Sequence, residues 1–306
     1  MNGSDSEEAP IVSVCIPALN EAVRLPQLLA QLVAQRDVTL DIIVADGGST
    51  DGSLQTLAAA VRVVMGADGR GAQMNAAARM ARGEWLLFLH ADTQLNDSGL
   101  LADAVSALTA AQARAGHHRI AGHFPLRFER DRARHGLLFR YMEAKTALNR
   151  PGTINGDQGM LLSRRCFDSL GGFDESRTFL EDQDFAARVF AEGQWITLPG
   201  RLTTSARRFE TLGPWRVYGF MALIMAAWKS GNDVFLQQVP ALYARPRADG
   251  CLDLRAAARS WLASWRAQTW PTRRRWGLSL VRYAALNLWQ VMLFVETVFH
   301  TRRRAA

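Results

Sequence analysis

Apolar, β-branched runs alternate with amphipathic stretches in the first third of the sequence, and this alternation constrains the fold more than any other feature. The predicted strands are residues 11–16, 40–45, 61–65 and 85–89, and the predicted helices are residues 21–35, 52–60 and 71–82. A β-α-β-α order favours a mostly parallel, Rossmann-like sheet with helices on both faces. We therefore predict an α/β fold whose ligands bind beyond the carboxyl ends of its strands.

The rest of the chain is less regular and becomes more apolar toward its end. Residues 99–116, 134–148 and a segment from Glu181 read as helices, residues 160–163 as a strand, and residues 118–129 as a strand exposed on one side. With 306 residues, the chain has room for one large domain and an appendage. We divide it into a disordered acidic N-terminus (1–10), a catalytic domain (11–210) and an apolar, basic helical C-terminal region (211–306).

Charge and tryptophan content single out the C-terminal region. The net charge is +7, arginines crowd residues 201–208, 273–275 and 302–304, and most of the nine tryptophans lie between Trp215 and Trp289. On a helical wheel at ~100° per residue, residues 276–300 place Arg282, Asn287 and Gln290 opposite Val281 and Met292. This pattern favours a helix that packs on the protein or on a second subunit of a homodimer, or lies on an anionic membrane, over one that spans it.

The N-terminus and the cysteines bear on location. Residues 1–10 are acidic and contain no apolar stretch, so we expect no secretory signal and a cytoplasmic protein, peripheral at the inner face of the cell membrane. Three widely spaced cysteines suggest neither a disulfide framework nor a zinc site. Cys15 lies in an apolar run and is predicted to be core. We expect no nucleic-acid partner.

Two glycine-containing turns follow predicted strands and could bind a nucleotide. Residues 46–52 place Asp46 at a strand end, where a carboxylate can accept from a base or ribose. The alternative is a plain turn in which Asp51 caps the next helix. Residues 69–75 offer Arg70 and a helix N-terminus to a diphosphate, the alternative being a loop with a solvated arginine.

Acidic residues in two further segments suggest a metal-binding site and a general base. A buried strand delivers His90 and Asp92 to the same edge, where Asp92 can anchor Mn²⁺ or Mg²⁺, although a lone histidine is usually structural. Residues 181–184 begin a helix with three acids, and one of them can deprotonate an acceptor hydroxyl. Acids there also neutralise the helix dipole, and spacing alone does not choose among them.

Two weaker features complete the set of candidates. The glycine-flanked loop of residues 156–159 could orient an acceptor, and the strand-like run of residues 203–208 could offset a leaving diphosphate with its two arginines. A simple turn and a solvated strand edge are the alternatives.

These segments, in this order, resemble the family 2 glycosyltransferases, in particular a bacterial subgroup with GGSTDG, GRGxQMN and FLHADT motifs. The resemblance covers residues 11–208 and implies a GT-A fold, a nucleotide-diphosphate sugar donor, a divalent metal and inversion at the anomeric carbon. His90 departs from the many members that have aspartate there. Arginines near residues 205–208 replace the late metal-binding histidine of many GT-A enzymes.

The resemblance assigns roles residue by residue. It implies that Asp182 is the general base, with Glu181 beside it, and that Asp92 and His90 hold the metal. The acceptor-binding candidates are Gly156, Asp157 and Gln158. The donor-binding candidates are Pro17, Asn20, Glu21, Asp46, Gly48, Arg70, Asn75, Ala91 and Arg207.

The sequence therefore predicts an inverting glycosyltransferase that transfers a sugar to a hydroxyl of a lipid-linked or membrane-associated acceptor. A nucleotidyltransferase and a non-catalytic protein that binds at a membrane are the alternatives. The prediction depends on Asp46, Asp92 and Asp182 converging at one edge of one sheet.

Overall fold

The computed structural model describes residues 11–55, 57–65, 69–132, 134–244 and 250–303, with side chains as far as Phe299. The chain divides into two compact units. One comprises Met1–Phe128 with Thr146–Thr204, and the other Glu129–Lys145 with Ser205–Ala306. The predicted disordered segment, residues 1–10, lies outside the described residues.

A seven-stranded sheet forms the core of the first unit. Its strands are β1 (Ile11–Ala18), β2 (Thr39–Asp46), β3 (Arg62–Met65), β4 (Trp85–Phe88), β6 (Ile120–His123), β8 (Met160–Ser163) and β9 (Gln194–Thr197). The spatial order is β3-β2-β1-β4-β8-β6-β9. Only β8 runs antiparallel to its neighbours, and the other six strands share one direction. A smaller sheet has the order β5-β10-β7, with β5 at Thr93–Leu95, β7 at Leu126–Glu129 and β10 at Leu202–Ser205.

Helices cover this sheet because the strands are apolar on both sides. In β1, Val12, Val14, Cys15 and Ile16 are fully buried, as expected for a parallel strand between two helical layers. Rings of Phe88, Phe167, Phe173 and Phe185 form a continuous cluster in the core. The helices are α1 (Leu25–Val33), α2 (Arg70–Met80), α3 (Leu100–Ala115), α5 (Arg164–Ser169) and α6 (Glu181–Glu192).

The second unit is helical. Its helices are α4 (Gly136–Thr146), α7 (Arg207–Leu212), α8 (Pro214–Ser230), α9 (Asp233–Tyr243), α10 (Leu254–Arg266), α11 (Trp270–Leu286) and α12 (Trp289–Arg303). Side-chain caps define two of the starts: Asn232 accepts from the Phe235 amide and Asp253 from the Ala256 amide. Helix α8 packs against α10 and α11. The α/β fold with a mostly parallel sheet and a C-terminal helical extension is thus confirmed.

Residues 52–60 form turns in their described part, so the predicted helix there is wrong. The Asp51 carboxylate accepts from the amide of Ser53 at 3.0 Å and from its hydroxyl, which closes a turn after the strand. It also accepts from the Ala22 amide at 3.0 Å. Such local bonds compete with helix formation, and Asp51 caps a turn and not a helix.

Three other boundaries differ from the sequence prediction. Residues 118–129 form two strands in different sheets, because Phe124 and Pro125 interrupt the run, and β6 is buried on both faces. The strand predicted over residues 203–208 ends at Ser205, and Arg207 begins helix α7. Residues 276–300 belong to two helices, separated by a turn at Asn287 and Leu288.

Candidate active site

The predicted site residues gather at the carboxyl edge of the large sheet. Asp46 is the last residue of β2, and His90 and Asp92 follow β4 directly. Because β8 is antiparallel to β4, the residues just before its start, Gly156 and Asp157, reach the same edge. The reversed strand therefore brings a later part of the chain to the site.

Asp46 shapes its own loop. Its side chain is fully buried, one carboxylate oxygen accepts from the amides of Gly48 and Ser49, both at 2.8 Å, and the other accepts from the Ser49 hydroxyl at 2.5 Å. Gly48 has φ 93°, which favours glycine. The carboxylate predicted to meet a base or ribose thus holds the turn, and a ligand contact by Asp46 stays a prediction.

The loop after β1 is hydrogen-bonded to the turn after β2. The Asn20 amide donates to the Ser49 hydroxyl oxygen at 2.9 Å, and the Asn20 carboxamide oxygen accepts from the Thr50 amide at 2.9 Å. The Glu21 amide donates to the Ser53 hydroxyl oxygen at 2.8 Å. Pro17 precedes this loop on β1, opposite Ala45. Neither serine was predicted as a site residue, although their spacing after Asp46 and Asp51 is typical of side-chain turns.

Helix α2 begins beside these loops and carries Arg70 into contact with α6. The Gln73 side chain donates to the Ala18 carbonyl at 3.4 Å, and an Arg70 guanidinium nitrogen lies 3.3 Å from Glu181 Oε1. Gln73 was not predicted, since a glutamine on a helix carries no distinctive signal. The helix start thus connects the end of β1 to the acids of α6.

Asn75 has a structural role in the described chain. Its amide nitrogen donates to the Phe173 carbonyl at 2.8 Å, and its oxygen accepts from the Phe173 amide at 2.9 Å. The side chain is buried and fixes the loop that leads to α6. Its predicted donor contact stays a prediction.

The three acids at the start of α6, among which the sequence did not choose a base, have different surroundings in the structure. Asp184 is engaged by Arg177 and Arg188, each at 3.1 Å. Glu181 is 2% exposed and pairs with Arg70, and burial, followed by the charge of Asp182, raises its pKa. Asp182 is partly exposed and accepts from the Gly156 amide at 2.7 Å. Asp182 is thus the acid of α6 that faces the loop before β8.

Gly156 lies between His90 and Asp182. A Cβ atom at this glycine would stand 3.0 Å from His90 Nε2 and 3.4 Å from Asp182 Oδ2. The absence of a side chain therefore lets the end of β4, the loop before β8 and the start of α6 approach one another. Ala91, between His90 and Asp92, is buried, and its predicted donor contact stays a prediction.

Asp157 is the most perturbed carboxyl of the edge. Burial, and then the negative charges of Asp182 and Asp92, raise its pKa to about 7, against the lowering effect of Arg70. Its Oδ1 atom is buried and has no hydrogen-bond partner among the described residues. Asp92, Asp157 and Asp182 therefore converge, as the sequence predicted for two of them, and Asp46 lies on the same edge two strands away.

Gln158 and Arg207 differ from the other candidates. Gln158 is fully buried, with Oε1 bound to His123 at 2.8 Å and its amide donating to the Thr153 carbonyl at 2.5 Å, so it supports the loop from within and offers no free group to an acceptor. Arg207 begins α7 in the second unit. Its predicted contact with the donor stays a prediction.

The residues at this edge are suited to a divalent cation that takes some of its ligands from the protein and the others from a phosphate group. Among the described residues, no three His, Cys, Asp or Glu side chains form a complete metal-binding group. Asp92 and Asp157 nevertheless supply carboxylate oxygens, the donors that Mg²⁺ and Mn²⁺ prefer. A cation would compensate both the repulsion between these acids and the unsatisfied Asp157 oxygen.

The fold and this edge define the class of protein: it has the GT-A fold of glycosyltransferases. A mannosyltransferase from Pyrobaculum calidifontis, solved in complex with GDP-Man and Mn²⁺, aligns with 95% of this chain and 86% of its own at a TM-score of 0.51 and 18% identity. The chain belongs to glycosyl transferase family 2, whose sequence profile matches residues 13–171.

Curated relatives match a shorter stretch. PGL/p-HBAD biosynthesis glycosyltransferases of Mycobacterium bovis and Mycobacterium tuberculosis are each 35% identical over 102 residues, 31% of this chain. The matched stretch covers 40% of the length of these relatives.

Proposed function

We propose that this chain is an inverting glycosyltransferase that moves a sugar from a nucleotide-diphosphate donor to an acceptor hydroxyl. The observation that carries the proposal is the position of Asp182, partly exposed at the start of α6 and held by the Gly156 amide beside Asp157. Family membership and the GT-A fold support sugar transfer as the reaction.

Asp182 acts as the general base in this proposal. One of its oxygens accepts from Gly156 and the other from the Gln183 amide, each at 2.7 Å, which fixes the carboxylate while leaving lone pairs for an acceptor. Asp182 takes the proton of the hydroxyl as that oxygen attacks the anomeric carbon from the side opposite the diphosphate. The bond to the diphosphate breaks, and the configuration at the anomeric carbon inverts.

The leaving nucleoside diphosphate needs positive charge. Arg70 stands at the start of α2, and the free amides of that 11-residue helix favour an anion at the same end. Asp92, with His90 nearby, would hold a divalent cation, Mn²⁺ or Mg²⁺, that neutralises charge on the diphosphate. Arg207 is kept as a further donor-side candidate.

The acceptor and the location belong to the proposal as well. Asp157, next to Asp182, is kept as a candidate for binding an acceptor hydroxyl when it does not contact the cation. The apolar, basic C-terminal region supports a location at the cytoplasmic face of the cell membrane, where a lipid-linked acceptor is accessible. A homodimer stays a further prediction.

A donor screen followed by product analysis tests the reaction. A nucleotide sugar that binds the native chain with Mn²⁺ raises its melting temperature, by an amount equivalent to about 2.7 kcal/mol at 100 times its Kd. The selected donor should then release a nucleoside diphosphate. Release of pyrophosphate would instead assign a nucleotidyltransferase, and a chain that binds donor without turnover would be a binding protein.

The substitution Asp182→Asn tests the base. An asparagine keeps an oxygen for the Gly156 amide, so donor binding should persist while transfer falls roughly 100- to 10,000-fold. Asp184→Asn, on the same helix, is the matched control, because Asp184 is paired with Arg177 and Arg188 and does not face the loop before β8. Transfer that survives Asp182→Asn would remove this assignment.

A further inference from the structure

Helices α11 and α12 present a continuous apolar face to solvent. Trp270–Phe299 is the one stretch among the described residues that is long and apolar enough, by length and composition, to cross a bilayer, and none of its most apolar window is buried. Its exposed large side chains include Leu278 (63%), Val281 (69%), Leu288 (64%), Met292 (74%) and Phe299 (59%). These positions are three, four or seven residues apart, the spacings that place side chains on one side of a helix.

The side of α12 that carries Gln290 packs on the rest of the second unit. The Tyr141 hydroxyl of α4 donates to Gln290 Oε1 at 3.1 Å, and the Tyr218 hydroxyl of α8 donates to Tyr141 at 3.1 Å. The Phe294 ring packs edge-on against Tyr141 at 5.5 Å. A helix of a water-soluble protein usually orients the other way, with its apolar side inward.

Unpaired arginines border one end of the apolar face. Arg274, Arg275 and Arg282 line a shallow groove of about 450 Å³ together with Leu278 and Ser279. None of these three arginines forms an ion pair with a described residue. Glu296 is the single acid in the whole stretch.

We propose that this face of α11 and α12, from Arg274 to Phe299, is a docking surface for an anionic phospholipid bilayer and lies in the plane of its interface. The arginines suit lipid phosphates, and the apolar side chains suit the outer part of the acyl region. At 1.5 Å per residue, the stripe from Val281 to Phe299 is about 27 Å long. This inference specifies the surface behind the proposed membrane location and does not depend on the proposed reaction.

Contacts within the second unit favour a helix pair on the membrane over one across it. A spanning helix would bury Arg282, Asn287 and Gln290 in the hydrocarbon region, where polar groups are costly. Here Gln290 is hydrogen-bonded to Tyr141 and Asn287, whereas Arg282, at the border of the apolar face, and the apolar side chains are exposed.

Charge also disfavours a second copy as the occupant. In a two-fold contact the same surface faces itself. A parallel arrangement would set each copy's Arg274 and Arg275 beside those of its partner. That arrangement brings like charges together, whereas a negatively charged bilayer attracts all of them.

Sedimentation of the full chain with vesicles tests the proposal without donor or acceptor. Vesicles of equal parts phosphatidylcholine and phosphatidylglycerol should pellet the chain, and vesicles of phosphatidylcholine alone should pellet much less. The Asp182→Asn variant should bind like the wild type, so failure of the proposed reaction and failure of docking are distinguished.

Two sets of variants separate charge from apolar contact. The triple variant Arg274→Gln, Arg275→Gln, Arg282→Gln should bind anionic vesicles roughly 100-fold more weakly, since each arginine contributes about five-fold. Leu288→Gln with Met292→Gln should weaken binding as well, and both residues are exposed, so the fold should persist. The matched control Arg114→Gln, Arg127→Gln, Arg201→Gln removes the same charge from exposed sites in the first unit and should change binding little.

Three results would overturn the proposal. They are a folded wild-type chain, verified by circular dichroism, that stays in the supernatant with anionic vesicles; a triple variant that pellets like the wild type; and a control variant that loses as much binding as the triple variant. A dimer in analytical ultracentrifugation that Leu288→Gln with Met292→Gln dissociates, in a chain that ignores vesicles, would assign the face to a second copy.

Discussion

Asp157 and Asp182 are adjacent carboxyls with different environments. Asp182 accepts two backbone amide protons, whereas the Oδ1 atom of Asp157 is buried without a described partner and the pKa of this carboxyl is raised to about 7. Burial opposes the ionised form of a carboxyl. Near neutral pH, the cation-free site therefore holds Asp157 partly protonated beside Asp182.

This difference predicts a pH-dependent stability that a single substitution removes. The folded pKa of Asp157 lies above that of an unfolded aspartate, so its contribution is complete below the unfolded pKa and is lost as pH rises through about 7. In Asp157→Asn the charge cannot form. The variant should therefore match the wild type near about pH 4 and exceed its melting temperature by about 4 °C or more near about pH 8.

The measurement is a thermal melt across this pH range in the presence of a chelator. Added Mn²⁺ should raise the melting temperature of the wild type more than that of the variant, because a cation near Asp92 would compensate the Asp157 charge. Equal pH profiles for the two proteins would show that Asp157 ionises freely in the fold.

The Arg164 side chain links the end of helix α2 to the start of helix α5 by hydrogen bonds. Its guanidinium donates to the carbonyls of Ala78 at 3.1 Å, Ala81 at 2.6 Å and Gly83 at 3.3 Å. The last carbonyls of a helix have no partner within it, and an arginine can satisfy them. Arg164 thereby anchors the helix whose other end carries Arg70.

Arg164→Met should destabilise the first unit by about 2–3 kcal/mol, because partly buried carbonyls lose charged donors. The neighbouring Arg165→Met is the control, since Arg165 is exposed and donates to no carbonyl of α2 in the described structure. Urea unfolding followed by circular dichroism would compare the two. A midpoint of Arg164→Met that equals that of Arg165→Met would deny Arg164 this role.

Pattern and spacing predicted the elements that depend on local sequence. The buried strand ending before His90 and the helix start at Glu181 are visible in apolar runs and in the grouping of acids. Their placement at one edge follows from parallel strand order. The choice of Asp182 over Asp184 required Arg177 and Arg188, whose approach depends on tertiary packing.

One incorrect helix prediction and one alternative that the sequence left open show what a sequence pattern cannot predict. In residues 52–60 the Asp51 carboxylate and the Ser53 hydroxyl bind each other and the loop after β1, and these bonds overrule a helical composition. In residues 276–300 the wheel identified a polar and an apolar face. The helical wheel could not predict that Tyr141, which is far away in the sequence, would hydrogen-bond to Gln290 on the polar face.

The basic charge of the whole chain and the apolar face of α11 and α12 should each contribute to membrane binding, and the two contributions can be measured separately. The chain carries a net charge of +7, with arginines concentrated in its second half. Screening shortens the reach of these charges from about 10 Å at 0.1 M salt to about 3 Å at 1 M. Apolar contact is not weakened in this way.

We therefore expect binding to anionic vesicles to decrease in about 1 M salt but not to vanish. For Leu288→Gln with Met292→Gln, the same salt concentration should remove a larger fraction of the binding than in the wild type, because two of the exposed apolar side chains of the face are lost. Sedimentation at both salt concentrations makes the comparison. Complete release of the wild type in high salt would mean that the apolar side chains do not enter the bilayer.

The segments that meet at the carboxyl edge of the large sheet are far apart in the sequence, so they are synthesised at different times. The loops at Asp46 and Asp92 leave the ribosome first, while Gly156 arrives only with β8 and Asp182 only with α6. A product that stops at residue 171 would contain the whole region matched by the family profile and still lack Asp182, the proposed general base. Premature termination there should yield a chain without turnover, so a truncated product would not consume donor sugar.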